Sequence, residues 1–419
     1  MKLYTSNKGV FPDDWKIVKL GSLCDLQNGY AFKSTDYVDS SNTLSCRMSN
    51  IRPDGEFDLD YHPKFLPDPY ADKYQQFLLK DNDVIIAMTD MATEPKILGV
   101  PTVVSTKGRN VLLNQRVGKL VIKDKDSIFF PYLKRVLGTN RAKQHYLRFA
   151  GGGVQINLSK EDLLSLEIPL PPIEEQRRIA AILDKADGVR RKRKEAIRLT
   201  EELLKSTFLE MFGDPVTNPK GWEVRELGDC VKDIESGWSP KCDTRQAEPE
   251  EWGVLKLGAV TYGHFNPDEN KAMLPDDVPR QELEIKTGDL LVTRKNTYEL
   301  VGASAFVQMT RPKLMLPDLI FRLRLIDGID PVYVWQTLSQ KTMRLKLSGL
   351  AGGTAGSMPN ISKARLRTLP FPVPPQLLQL KYREIFNQFW LKKEHQKESE
   401  EISENLFNSL LQKAFRGEL

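Results

Sequence analysis

Few side chains in this sequence have types and spacing that could carry chemistry, and they exclude more than they support. One order fits metal-dependent phosphodiester cleavage: Pro275-Asp276 followed by Glu284-Ile285-Lys286, two carboxylates for a divalent metal and a lysine to assist. The local pattern argues against it, because Glu284 to Asp289 leads into a Gly-Asp turn ahead of a strand. A G-x-x-x-x-G-K-[ST] phosphate cradle is missing, so ATP hydrolysis is not expected. The double prolines follow Leu170 and Val373, not the Asn or Asp with which amino-methyltransferases hold a flipped base. Gly-x-Ser-x-Gly is also absent, and His62, His145, His264 and His395 sit in no triad neighbourhood. Cys24, Cys46, Cys230 and Cys242 lack the short paired spacing of a structural zinc site.

What remains is polar chemistry suited to reading bases, which needs Arg, Lys, Asn, Gln, Ser or Thr held at a loop or strand end. Such residues occur where predicted strands end: Arg47, Ser49 and Asn50, against Lys256; and Thr89 and Asp90, against Arg294, Lys295 and Asn296. Ordinary loop solvation is the competing reading. Gly151-Gly152-Gly153 and Gly352-Gly353 could bring backbone N–H groups to phosphates. Ser159 with Asp162 reads as a capping box opening a short helix.

The elements that must position these residues come from a duplicated chain. The 419 residues, 40% hydrophobic and 28% charged, suit two to four globular domains. A net charge of +5 is compatible with nucleic acid without requiring it. No membrane span or secretory leader is visible, and a cytoplasmic location is expected. Trp15-Lys16-Ile17-Val18-Lys19-Leu20-Gly21 returns as Trp222-Glu223-Val224-Arg225-Glu226-Leu227-Gly228, an offset of 207. Asn157-Leu158-Ser159-Lys160 returns as Asn360-Ile361-Ser362-Lys363, and Pro171-Pro172 as Pro374-Pro375, at an offset of 203. Asp83-Val84-Ile85-Ile86 and Asp289-Leu290-Leu291-Val292 match between them. A period this long means two tandem domains rather than a solenoid.

Each copy changes character at its double proline. Before it, strands are predicted over 83–88, 100–104 and 117–122, and over 289–293, 302–307 and 320–325, with helical stretches over 132–149 and 332–347. After Pro172, residues 174–212 hold no proline and strong helix formers, predicting one helix of roughly 58 Å at ~1.5 Å per residue. Two apolar heptad rows mark a coiled-coil seam: Ile182, Val189, Ala196, Leu203; and Leu183, Ile197, Leu204, Met211, broken at Arg190. A second helix is predicted over 376–415, with a polar middle. Run antiparallel, the helices would set Arg190-Arg191-Lys192-Arg193-Lys194 against Glu394, Glu398, Glu400 and Glu401.

Two unlike globular halves, each ending in a proline-rich strand and a long helix, resemble the specificity subunit of type I restriction-modification systems. The carrying residues are Gly151 to Ser159, then Leu166-Glu167-Ile168-Pro169-Leu170-Pro171-Pro172-Ile173-Glu174-Glu175-Gln176-Arg177-Arg178-Ile179. Pro359 to Lys363, Leu369 to Pro375 and the terminal Phe415-Arg416-Gly417-Glu418-Leu419 add to them. The second copy departs, with Gln376-Leu377-Leu378 where Glu174-Glu175-Gln176 stands in the first. The resemblance implies an α/β (α+β) chain with a pseudo-two-fold repeat: target-recognition domains over 1–172 and 214–375, and helices over 173–213 and 376–419 forming an antiparallel coiled coil.

It also implies a non-catalytic subunit that binds double-stranded DNA, each half reading one part of a bipartite, asymmetric target. The helices would space the halves by on the order of 17 base pairs at ~3.4 Å each. Two adenine methyltransferase subunits using S-adenosylmethionine would dock on the helices and recognition domains, and restriction subunits using ATP with Mg would join through them. No cofactor is expected on this chain itself. The alternatives are a stand-alone nuclease on Asp276 and Glu284, or a DNA-independent coiled-coil scaffold.

Overall fold

The computed structural model describes residues 4–6, 9–12, 14–124, 126–149, 155–352 and 358–419. The glycine stretch 151–153 and Gly353 lie outside the described residues. The chain forms two compact units: residues 1–193 with 399–419, and residues 194–398. No described helix is long and apolar enough to cross a membrane.

In the first unit, the strand Lys16–Lys19 pairs antiparallel with Glu167–Leu170, so the segments entering and leaving the globular part lie side by side. Pro169 and Pro171 fit here because a two-stranded edge leaves their missing N–H groups without a ladder to break. Between these ends runs an antiparallel sheet in the order Cys24–Asn28, Val117–Ile122, Val84–Ala87, Pro101–Val103. The strand Val84–Ala87 is buried on both faces. Val84 and Ile86 face a core shared with Tyr132, Leu133 and the long helices, while Ile85 and Ala87 face a second core with Cys46, Val111 and Leu113. Period-two alternation therefore separates two cores rather than core from water. The second core is closed by strands Asn110–Leu113, Thr43–Cys46 and Phe65–Leu66, the first two parallel.

The second unit repeats this topology. Glu223–Glu226 pairs with Pro370–Val373. The sheet order is Val231–Ser236, Ile320–Leu325, Leu290–Thr293, Ser304–Phe306, with Gly253–Leu255 between Asn270–Ala272 and Leu314–Met315. Asp83, one residue before the central strand, meets Lys119 at 2.6 Å; its counterpart Asp289 meets Arg322, 1% exposed, at 3.1 Å. Gly29 and Gly237 are required by close approach, since a Cβ would fall 2.3 Å from the Asn114 carbonyl carbon and 1.9 Å from the Leu316 oxygen. The single helical stretches expected over 132–149 and 332–347 are each two helices. Phe130–Leu137 ends at Gly138, and Thr139 Oγ1 caps Asn140–Leu147; Pro331–Ser339 gives way to Lys341–Gly349 at the extended Gln340.

Each long helix is fastened to its unit by a buried glutamine just past the double proline. The first spans Ile173–Phe212 and the second Gln376–Ala414. Gln176, fully buried, accepts the Phe129 N–H at 2.7 Å and donates to the Ser127 and Pro171 carbonyls at 3.1 and 2.8 Å. Gln379, also fully buried, accepts the Asp330 N–H at 2.9 Å and donates to the Pro374 carbonyl at 2.8 Å. A buried tyrosine completes each junction, Tyr132 donating to the Pro169 carbonyl and Tyr333 to the Pro372 carbonyl, both at 2.8 Å. This corrects the sequence register: Gln379 is the counterpart of Gln176, and Gln376-Leu377-Leu378 stands where the first copy has Ile173-Glu174-Glu175.

The helices lie antiparallel inside each unit. In the first, Arg178 reaches the Leu419 carbonyl at 2.7 Å and Arg190 reaches Glu404 at 2.9 Å. In the second, Glu201 pairs with Lys393 at 2.6 Å and Phe208 packs on Tyr382. The tyrosine of each junction meets the last turn of the other helix: Tyr132 with Phe415 at 5.7 Å, Tyr333 with Phe212 at 4.8 Å between ring centres. Of the two heptad rows, the one with Leu183 faces the partner helix, whereas Val189 and Leu203 are 43% and 54% exposed. The buried positions follow a helical period from Gln176 through Ile179, Ala180 and Leu183 to Asp187, and return at Thr200, Phe208 and Phe212.

Replacing Gln379 by alanine strands the Asp330 N–H and the Pro374 carbonyl in the interior, and should lower stability by about 1–3 kcal/mol. Gln176→Ala should do the same, while Glu174→Ala on the exposed side of that turn stays within about 0.5 kcal/mol. Urea unfolding midpoints check this; equal midpoints for Gln379→Ala and the unaltered chain would contradict it.

Candidate nucleic-acid interface

Several of the polar residues at the strand ends build the loops, while others stay partly open to solvent. In the first unit, Thr43–Cys46 runs into Arg47 and a short 3-10 turn, Met48–Asn50. Asn50 is buried; its Oδ1 accepts the Arg47 N–H at 2.8 Å and its Nδ2 donates to the carbonyls of Asp58 and Tyr61 at 2.9 and 3.3 Å. Ser49 Oγ is buried with no hydrogen-bond partner among the described residues. Thr89 and Asp90 are buried on a strand paired with Gln155–Asn157. Thr89 Oγ1 donates to Asn157 Oδ1 at 2.9 Å. Asp90 collects three N–H groups, from Met91, Ile97 and Leu98, and so closes the loop 91–97 on itself. Short polar side chains at strand ends satisfy nearby backbone in this way.

The second unit closes its loops with different residues. Asn296 is buried; its Nδ2 donates to Thr261 Oγ1 at 3.2 Å, and its Oδ1 accepts the Thr297 N–H at 2.9 Å. Arg294 Nε donates to Asn360 Oδ1 at 3.2 Å, and its guanidinium lies 5.6 Å from the Phe321 ring centre. Asn157 and Asn360, the asparagines of the repeated Asn-(Leu/Ile)-Ser-Lys motif, thus sew the same two segments together in both units. Lys295 bridges to Asn360 through its backbone. Lys256 approaches Glu269 at 3.7 Å. Of the nine residues proposed from sequence to contact bases, Asn50, Thr89, Asp90 and Asn296 are buried loop supports; Arg47, Lys256 and Lys295 remain partly open to solvent.

Side chains that do stand out of these loops are ones that strand-end reasoning passed over. In the first unit the Arg52 guanidinium lies 3.7 Å from the Tyr61 ring centre, with His62 edge-on to the same ring at 4.4 Å. Asp60 beside them holds Lys107 and Arg109 at 2.8 and 2.9 Å, which keeps its carboxyl below the usual range. In the second unit Tyr262 and Tyr298 project from the two loops joined by Asn296. Aromatics inside turn-rich stretches, Asp60-Tyr61-His62-Pro63 and Tyr262-Gly263-His264, were the available signal.

The two carboxylates that fit a metal-dependent order differ in setting. Glu284 accepts the Lys313 N–H at 2.8 Å, and Asp276 lies exposed in a turn. Among the described residues no group of three or more His, Cys, Asp or Glu could hold a metal ion. The cysteines are free thiols; burial pushes the Cys24 thiol up to about 12. Ser159 is a cap: its Oγ accepts the Asp162 N–H at 3.0 Å, as Ser362 Oγ accepts that of Arg365 at 3.2 Å. The basic run on the first helix is partly committed within its unit. Arg190 holds Asp187 and Glu404 and stacks 4.6 Å from Phe407, Arg191 holds Asp187 and Glu56, and Arg193 bonds Ser399 and Ser403. Glu404 thus meets Arg190, one turn from the expected Glu400 and Glu401, while Glu394 pairs with Lys397 of its own helix.

Residues 12–199 match the family described as "Type I restriction modification DNA specificity domain". The chain is 36% identical over 178 residues to the type I restriction enzyme EcoEI specificity subunit of Escherichia coli, an alignment covering 42% of this chain and 30% of that one. It is 30% identical over 210 residues to the MjaVIII specificity subunit of Methanocaldococcus jannaschii, covering 49% and 47%. The aligned stretches therefore span less than half of either relative. Similarity to the EcoKI specificity subunit of Escherichia coli K12 is lower, 23% over 433 residues, but covers 98% of this chain and 90% of that one. Two solved structures share the fold. One is the type I restriction-modification S subunit from M. genitalium, with TM-score 0.58, 15% identity, and 99% and 98% coverage. The other is a chain from a study of complex assembly and conformational transition of the type I R-M system, with TM-score 0.53, 20% identity, and 98% and 99% coverage.

If Asp90 is a loop support, Asp90→Ala frees the Ile97 and Leu98 amides, which should exchange hydrogen at least about tenfold faster while those of Ile85 and Ile86 stay protected. Hydrogen exchange by mass spectrometry or NMR reads this directly; unchanged protection at 97–98 would show that the carboxylate does not hold the loop.

Proposed function

From a chain whose residues 12–199 match the type I restriction modification DNA specificity domain, we propose a DNA sequence-recognition subunit whose two units each read one part of a bipartite, asymmetric target. The observation that carries this reading is a duplicated frame with unlike loops. Tyr132 and Tyr333, Gln176 and Gln379, Asp83 and Asp289, and Asn157 and Asn360 do the same work in both units. The outward residues differ: Arg52, Tyr61 and His62 in one, Tyr262 and Tyr298 in the other. Two readers of different chemistry on one scaffold suit two different half-sites, because base edges are told apart by the donors, acceptors and apolar surfaces set against them.

In this reading the chain is not the catalyst. It binds duplex DNA and directs adenine methylation and restriction by partner subunits in the cytoplasm. Two methyltransferase subunits that use S-adenosylmethionine dock on the long helices and recognition domains, and restriction subunits that use ATP with Mg join through them. The chain's own modest charge of +5 suits a complex in which partners supply part of the phosphate grip.

Mapping methylated adenines in DNA exposed to this chain with its methyltransferase subunits should return a split, non-palindromic motif. A continuous or perfectly palindromic motif would contradict two unlike readers, and methylation without sequence preference would contradict recognition altogether.

A further inference from the structure

Two tyrosines of the second unit stand open to solvent as no other phenylalanine, tyrosine or tryptophan described there does. Tyr262 is 73% exposed and Tyr298 60% exposed. Among the described residues neither ring packs on another ring and neither hydroxyl has a hydrogen-bond partner. An aromatic left this open forgoes the burial that usually retains it. Yet the backbone beneath is held. Tyr262 directly follows Thr261, whose hydroxyl accepts the Asn296 amide, and Tyr298 stands two residues past Asn296. Asn296 is itself buried and also donates its backbone N–H to the Pro359 carbonyl at 3.3 Å. Both rings therefore rise from loops tied to each other and to the end of the strand Leu290–Thr293. Lys295, next to Asn296, makes no ion pair among the described residues.

We propose that Tyr262 and Tyr298 are specificity-determining contacts of the second unit, their rings set against sugars and base edges and their hydroxyls donating to phosphate or base acceptors of duplex DNA. This rests on the DNA-recognition reading above and names the side chains that carry it in one unit. Tyrosine suits such a contact because its two rotatable side-chain bonds cost little entropy on ordering, and it presents an apolar face and a polar tip together. The first unit has a different device in the corresponding loop, a tyrosine already covered by Arg52. The two units would then differ in what they accept, and loss of the tyrosines should affect one half-site alone.

The test is selection from randomised duplex DNA by the full chain in complex with its methyltransferase subunits, for the unaltered protein, a Tyr262→Ala/Tyr298→Ala double variant and a Tyr262→Phe/Tyr298→Phe double variant. Thermal midpoints of all three should coincide, since both side chains are exposed. The alanine variant should keep preference in one part of the target, lose it in the other, and bind the full target roughly tenfold or more weakly. The phenylalanine variant should keep both preferences with a smaller loss of affinity. An alanine variant that selects the same two-part target with unchanged affinity overturns the proposal, as does a folded one that loses both parts equally. If the unaltered complex selects no sequence, the recognition reading itself fails, and this outcome is distinguishable because it precedes any substitution.

Discussion

A buried side-chain amide at the foot of each long helix is the interaction on which the rest depends. Gln176 and Gln379 spend both ends of the amide on backbone that would otherwise be buried unpaired: the turn before the small helix Phe130–Leu137 or Pro331–Ser339, and a proline carbonyl that no strand partner reaches. A glutamine can satisfy those groups only when the proline-rich strand, the small helix and the long helix meet at one set of distances. The tyrosine hydroxyl on the second carbonyl of the same strand adds another fixed point. Because the strand leaving each globular part is paired with the strand entering it, the junction fixes the whole part and not merely its last turn.

The middle of the helices follows a related logic. Asp187 is 4% exposed and holds Arg135, Arg190 and Arg191 at once, while Ser403 is bonded by Arg193. An ion pair buried this far gains little net stability over a hydrophobic contact, but breaking it by a shift of register would leave charge unpaired. Polar residues at the contact line therefore favour one register at some cost in stability. The apolar residues needed for adhesion sit at the ends, where Phe208, Phe212 and Tyr382 in one unit and Phe407 and Ala414 in the other join the cores.

The repeat and the alternation of the central strands were legible because they are written in residue identity and period. Asp83 with Val84 to Ile86 and Asp289 with Leu290 to Val292 begin the middle strand of each sheet, and the proline strands pair as the matching Trp-x-x-x-x-Leu-Gly segments require. Four things were not legible. Of the heptad rows, only the one through Val189 and Leu203 misled, since both are exposed; the row broken at Arg190 meets the other helix, where the arginine pairs with Glu404. Gln379 was missed because Leu377-Leu378 interrupt the expected acidic pair. Asn50, Thr89, Asp90 and Asn296 drew attention for chemistry they do spend, but on polar groups of their own loops; whether a polar side chain at a strand end turns inward depends on which groups the neighbouring loops leave open, and spacing carries no record of that. The exposed tyrosines obey no period, and their turn-rich setting hints at exposure without showing that the loops beneath them are held.

The proposal that one frame carries two readers is open to direct trial through their independence. Residues 16–170 can be replaced with 223–373 of the same chain, since both segments begin and end on the same pair of strands, and the resulting complex used to select DNA. Independent readers should yield a target that contains the second half-site twice and nothing of the first. A target that keeps the original first half-site, or remains unchanged, would contradict them.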